Sequence, residues 1–192
     1  MLKETELKVL CGFFPEGKDI TLKRIMERSK LSYEPVHRTL KELYKRKLVS
    51  GKKFGKTSVY EIDYPKEEVK LAFFFYAKEK LNLFSKSHGN IARALSGIKS
   101  ADFLAVFGSY AKGEFNKESD VDVICVSSQK SELEHEIYAL KHSTNLDFAS
   151  VVIPKEEFEK IKDENKAFWN DLVKFGIIFQ GYEQFYSEAY LK

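Results

Sequence analysis

Two aspartates stand one residue apart at the head of an otherwise apolar run, Ser119-Asp120-Val121-Asp122-Val123-Ile124-Cys125-Val126. A short run so rich in valine and isoleucine reads as a buried strand over Val121–Val126. On a strand, side chains two residues apart point to the same face, so Asp120 and Asp122 aim side by side. Two carboxylates in that position repel each other unless a cation or a proton lies between them. The bland alternative is a solvated strand edge or an Asx turn.

What precedes the pair sharpens the reading. Phe103 to Phe107 is a second short apolar strand, and it runs directly into Gly108-Ser109-Tyr110-Ala111-Lys112-Gly113. Gly108 allows a sharp turn and a close approach of backbone to ligand. Ser109, at the start of a helix, offers a hydroxyl and amide groups to a phosphate. Lys112 either joins it there or coats the surface, and Tyr110 either stacks on a base or fills core. A third acid, Asp147, stands near the start of a strand spanning Leu146 to Ile153, flanked by Leu146 and Phe148. An acid inside an apolar strand costs free energy unless it is paired or bound to metal. If this strand lies beside the one bearing Asp120, three carboxylates converge. Mg²⁺ is a hard ion that takes one or two carboxylates plus substrate phosphates, and it suits such a site. The candidate catalytic and metal-ligating residues are therefore Asp120, Asp122 and Asp147. The candidate nucleotide-binding residues are Gly108, Ser109 and Lys112. The chemistry expected of them is in-line attack of a hydroxyl on the α-phosphate of a nucleoside triphosphate, with pyrophosphate leaving and two metal ions at the entering and leaving oxygens.

Gly108-Ser109, Gly113 and Ser119-Asp120-Val121-Asp122, with Asp147 on a further strand, resemble the signature of the minimal nucleotidyltransferases of the DNA polymerase β superfamily. The helix-turn-strand that ends in Gly176 to Gly181 resembles that family's C-terminal segment. The resemblance covers about residues 88–182. It implies a small mixed β-sheet flanked by helices, ATP or another NTP as donor, and Mg²⁺ dependence. Some members of the family modify a toxin partner, so a protein acceptor and an antitoxin-like role are among its implications.

The first third of the chain has a different character. Residues 1–65 hold 15 Lys and Arg against 9 Asp and Glu, whereas the remainder holds 17 against 20. A basic front on a slightly acidic back points to an anionic partner for the front, or to a solvated lysine-rich surface. Helical spacing covers Thr5 to Phe14. Thr21 caps a helix through Leu22, Ile25 and Met26, and Ser32 caps a third whose inward stripe is Val36, Leu40, Leu43 and Tyr44. Leu48–Ser50 and Thr57–Ile62 flank a Gly- and Lys-rich tip, which is a hairpin pattern. Three helices followed by a basic hairpin resemble a winged helix-turn-helix domain over residues 1–64. That resemblance implies DNA as a partner. Tyr33, His37, Arg38 and Lys41 would enter a major groove, and Lys52, Lys53 and Lys56 would touch phosphates. Glu34 and Glu42 beside the same face oppose tight phosphate contact, and such domains also bind proteins or dimerise.

Pro65 marks the expected boundary. The helix from Lys66 to Ser87 is apolar on most faces between Leu71 and Ala77, which demands burial on several sides, either between domains or in a homodimer through residues 66–87. The expected organisation is a winged helix-turn-helix domain at 1–64, a linking and packing helix at 65–87, and the nucleotidyltransferase-like domain at 88–192. The fold class is α+β (α/β). Cys11 and Cys125 lie far apart in apolar stretches and have no metal spacing, and His37, His88, His135 and His142 do not cluster. The charged N-terminus lacks the apolar block of a signal peptide, and no run is long enough to cross a bilayer, so a cytoplasmic setting away from membranes is expected. A second function class stays open: a transcription regulator whose back domain binds a nucleotide as effector without turnover.

Overall fold

The computed structural model of the chain describes every residue except Met1, Lys56, Pro65, Asn145 and Lys192, and for Ser143 and Leu191 the backbone alone. The expected boundary residue Pro65 thus lies outside the described residues. The chain forms two compact units, residues 1–76 with 183–192 and residues 77–182.

The first unit begins with α1 (Glu4–Cys11), β1 (Ile20–Thr21), α2 (Leu22–Ser29), α3 (Tyr33–Lys45), β2 (Val49–Phe54) and β3 (Thr57–Ile62). Helix α1 stops short of the expected Phe14. The backbone N–H groups of Phe13 and Phe14 donate to carbonyls three residues back, which winds the end of the helix into tight turns and buries both rings. Thr21 does cap α2, its hydroxyl accepting from the Arg24 N–H at 3.3 Å. Ser32 precedes α3 but makes no side-chain cap bond. The inward stripe of α3 is Val36, Thr39, Leu40 and Leu43. Tyr44 was expected inside and is 58% exposed. It stands one residue past Leu43, about 100° further round the helix, and so leaves the buried arc. The hairpin β2–β3 is present, with Val49 opposite Ile62 and Phe54 opposite Thr57. The two-residue β1 joins its other side, giving the antiparallel order β1-β3-β2.

Helix α4 (Glu67–Ser87) runs from the first unit into the second. It buries Val69, Ala72, Phe73, Ala77 and Phe84, while Leu71, Phe74, Phe75 and Leu83 remain 39–58% exposed. Burial on several sides was expected, but an apolar run longer than one turn winds past the buried arc, and part of it emerges into solvent.

The second unit continues with α5 (Gly89–Ser96), β4 (Phe103–Val106), α6 (Gly108–Lys112), β5 (Val121–Val126), α7 (Lys130–Ser143), β6 (Phe148–Ile153), α8 (Lys155–Glu164), α9 (Lys166–Phe175) and β7 (Ile177–Gln180). Its sheet has the order β6-β5-β4-β7. Strand β4 is antiparallel to β5 and β7, and β5 is parallel to β6. A parallel neighbour needs a crossover, and α7 supplies it. This is the expected small mixed sheet flanked by helices. Alternation sorts its faces. Leu104, Val106, Val121, Val123 and Cys125 join Ile91, Leu95, Leu133 and Ile137 of α5 and α7 in one core. The other face buries Phe103, Ile124 and Val126, with Phe103 packed on Phe158 of α8 at 4.7 Å between ring centres. Asp120 and Asp122 share the alternation of Ile124 and Val126, opposite the α5–α7 layer.

The last helix, α10 (Tyr182–Leu191), belongs almost wholly to the first unit. Its Tyr190 packs against Phe14, Tyr64 and Phe73 and donates its hydroxyl to the Pro15 carbonyl at 2.6 Å. The compact units divide within α4, after Tyr76, and at the start of α10. The tyrosines of α10 fill the first unit's aromatic core, and α4 is shared between the units. Among the described residues, no helix is long and apolar enough to cross a membrane. Cys11 and Cys125 are buried and stand outside any disulfide, the Cys11 thiol donates to the Ala72 carbonyl at 3.5 Å, and burial pushes Cys125 up to about 12.

Candidate active site

The site begins where β4 ends. The Phe107 N–H donates to the Asp122 carbonyl at 3.0 Å, so the turn leaving β4 is tied to β5 at the position of the second aspartate. Gly108 then takes a left-handed conformation with φ 64°. A Cβ there would overlap the Asp122 carboxyl group, so glycine is required twice over, by conformation and by space. The short helix α6 follows and ends in left-handed Gly113. The loop back to β5 is held locally. Asn116 Oδ1 accepts from the Glu118 N–H at 2.8 Å, and Ser119 Oγ accepts from the Asn116 N–H at 2.9 Å, which fixes the approach to Asp120.

Asp120 is exposed and Asp122 is half-buried. Partial burial pushes the Asp122 carboxyl above the ordinary carboxylate range, the negative charge of Asp120 pushes it further, and a hydrogen bond from the Ser109 backbone N–H works in the opposite direction. Two carboxylates near enough for one to raise the other suit a hard divalent cation, which would relieve the repulsion.

The third acid stands differently from its expected setting. Strand β6 starts at Phe148, so Asp147 lies just before the strand and is exposed. Its carbonyl accepts from the Val121 N–H at 2.8 Å. The parallel register pairs Val121 with Phe148 and Asp122 with Ala149, so Asp147 falls abreast of Asp120 and on the same face by alternation. Among the described residues, however, no group of three or more His, Cys, Asp or Glu side chains gathers closely enough to hold a metal ion. The register brings the three aspartates to one end of one face.

Lys112 is paired with an acid of α9. Its ammonium meets Asp171 of α9 at 2.6 Å and lies over the Phe175 ring, and the Asp171 hydrogen bond holds its pKa above the ordinary lysine value. Tyr110 packs against the α5–α7 core and stacks on Phe115 with 4.6 Å between ring centres. His88 sets its edge against both rings, at 5.5 and 4.9 Å. Sequence reasoning missed this three-ring cluster beside the Gly-Ser turn. His88 lies in a different segment from the other two, and nothing local signals the contact.

In the first unit, Tyr33 is 54% exposed and stacks on half-buried His37 at 5.2 Å, with Arg38 and Lys41 exposed on the same helix. Lys52 and Lys53 are exposed on β2, and Lys52 reaches Glu61 at 3.5 Å. Lys56 lies outside the described residues.

No curated protein matches the chain. A crystal structure of a provisionally named nucleotidyltransferase from Sulfolobus solfataricus is similar at 21% identity, covering 45% of this chain and 81% of that one, with a TM-score of 0.28. A likeness that weak carries no structural argument. Residues 90–178, which hold the Gly108-Ser109 turn and all three aspartates, match the family model of the nucleotidyltransferase domain, a match that points to nucleotidyl transfer in general.

Proposed function

We propose that the second unit transfers a nucleoside monophosphate from an NTP, with ATP as the donor, to a hydroxyl acceptor. One observation carries the reading: within the segment matching the nucleotidyltransferase domain, Asp120 and Asp122 are charge-coupled beside a Gly108-Ser109 turn that only glycine can make. Asp120, Asp122 and Asp147 would hold Mg²⁺, in two ions. When bound, Mg²⁺ supplies positive charge to the attacking and departing oxygens. Ser109 offers its hydroxyl and amide to the triphosphate. Gly108 lets the phosphates approach the backbone. Asp147, in water and abreast of Asp120, takes the proton of the attacking hydroxyl as the bond to the α-phosphorus forms and pyrophosphate leaves. Lys112 contributes to the triphosphate only by exchanging its Asp171 partner.

We read the first unit as a winged helix-turn-helix that binds DNA. Helix α3 would present Tyr33, His37, Arg38 and Lys41, and the β2–β3 hairpin Lys52, Lys53 and Lys56. The topology of three helices with a β1-β3-β2 sheet supports this reading, as does the basic balance of the segment. A homodimer through residues 66–87 fits the exposed Leu71, Phe74, Phe75 and Leu83, the acceptor hydroxyl would belong to a protein, and two buried cysteines outside any disulfide fit a cytoplasmic setting.

The test is incubation with labelled ATP and MgCl₂ across protein, nucleic-acid and small-molecule acceptors. Label transfer is expected from the natural protein and not from Asp120→Ala. Absence of transfer and of pyrophosphate with every acceptor sinks the reading. A second reading, nucleotide held as an effector without turnover, is favoured by Asp147 standing exposed ahead of β6. It requires nucleotide-responsive DNA binding that survives Asp147→Ala.

A further inference from the structure

Phe54 closes β2 at the tip of the hairpin and is 63% exposed. Gly55 follows in a left-handed turn and Phe54 pairs with Thr57, so the tip is narrow, and more than half of Phe54 stands in water. Lys52 and Lys53 precede it on opposite faces of the strand, and Lys53 stands opposite Ser58 rather than an acid. Beside the hairpin, an open groove of about 640 Å³ carries Lys45, Lys47 and Lys52 with Tyr44, against Glu61 and Asp63. A large apolar ring held in water at a narrow tip, with ammonium groups on either side, matches the chemistry of side chains that part stacked bases. Such wedges enter between base steps from the minor groove, while nearby cations take the phosphates.

We propose that Phe54 is such a wedge, inserted between two base pairs of duplex DNA, with Lys52 and Lys53 on the flanking phosphates. The proposal rests on the DNA-binding reading of the first unit and adds to it a deformation of the duplex. Flexible pyrimidine–purine steps are the natural point of insertion, because they unstack most easily.

The test uses the full-length chain and a mixed-sequence 30-base-pair duplex with 2-aminopurine beside a TA step. Binding is followed by anisotropy and unstacking by 2-aminopurine emission. The natural protein should bind and raise the emission. Phe54→Ala should bind about tenfold or more weakly, given the strength of base–aromatic stacking, and should lose the rise. Phe54→Trp should keep both. Lys53→Ala should weaken binding yet preserve the rise at saturation. Circular dichroism should show Phe54→Ala folded as the natural chain is. If the natural protein binds the duplex with no rise, or if Phe54→Ala binds and brightens equally, the wedge is overturned while DNA binding stands. If the natural protein binds no duplex at any salt concentration, the DNA-binding reading falls and the wedge with it.

Discussion

The Phe107 N–H donates to the Asp122 carbonyl at 3.0 Å, which ties the turn that leaves β4 to the strand carrying the aspartates. The Asp122 carboxyl stands where a side chain at position 108 would lie, and Gly108 makes the approach possible by having none.

The first prediction concerns that glycine. Gly108→Ala forces a Cβ into the Asp122 carboxyl at φ 64°. The left-handed backbone alone costs about 1–2 kcal/mol. Urea unfolding should show at least that loss, and nucleotidyl transfer should fall by more than an order of magnitude. Unchanged stability would mean that the turn relaxes freely.

Asp122 supplies a pH argument. Its carboxyl is raised in the folded chain, so as pH climbs the unfolded chain ionises first and stability falls from the unfolded pKa through the folded one. At neutral pH, Asp122→Asn should therefore raise the melting temperature in metal-free buffer. Added MgCl₂ should raise that of the natural chain and leave the variant unmoved. Scanning fluorimetry in both buffers checks it, and an equal Mg²⁺ shift in the two proteins would count against the pair as a cation site.

Lys80 gives a second pH signature. Desolvation by its neighbours pushes the ammonium of half-exposed Lys80 down to about 7, and it donates to the Lys174 carbonyl at 3.2 Å. Between about 7 and the ordinary lysine value of 10.5, the unfolded chain holds a proton that the folded chain lacks, so stability rises with pH across that window and is least below it. Lys80→Met should flatten this rise in denaturant titrations at pH 6, 8 and 10. A natural chain with no rise would contradict the assignment.

Lys112 separates two roles. If its partner is Asp171 alone, Lys112→Met leaves the KM for ATP unchanged. If the triphosphate competes for the ammonium, Asp171→Asn lowers KM and Lys112→Met raises it. The exchange proposed above predicts the second pattern, in steady-state kinetics at fixed Mg²⁺.

For the first unit, Lys53→Ala should lower the salt slope of DNA binding by about one, the value for a single phosphate contact. Lys52→Ala should change it less, because Glu61 already draws that ammonium. Equal slopes for all three proteins would remove the hairpin lysines from the interface.

Patterns confined to one element were legible in the sequence. Strand β5 was read at its observed bounds, and the two aspartates fall on one face because alternation needs no tertiary information. Features that depend on distant partners were less legible. Strand β1 has two residues and exists only through its pairing with Tyr60 and Val59. Tyr44 looked like core because the spacing of apolar residues cannot tell the last buried position from the first exposed one. Asp147 looked like an acid inside a strand, since Leu146 and Phe148 flank it, yet the β5–β6 register starts one residue later. The aromatic filling of the first unit by Tyr186 and Tyr190 had no local sign at all, because those residues lie at the far end of the sequence.

The return of α10 imposes a schedule on synthesis. Residues 77–182 leave the ribosome as one uninterrupted stretch and can close their sheet while translation continues. Residues 1–76 are made before that stretch, yet must wait with Phe14 and Phe73 unsheltered until Tyr186 and Tyr190 emerge, so they are finished after it.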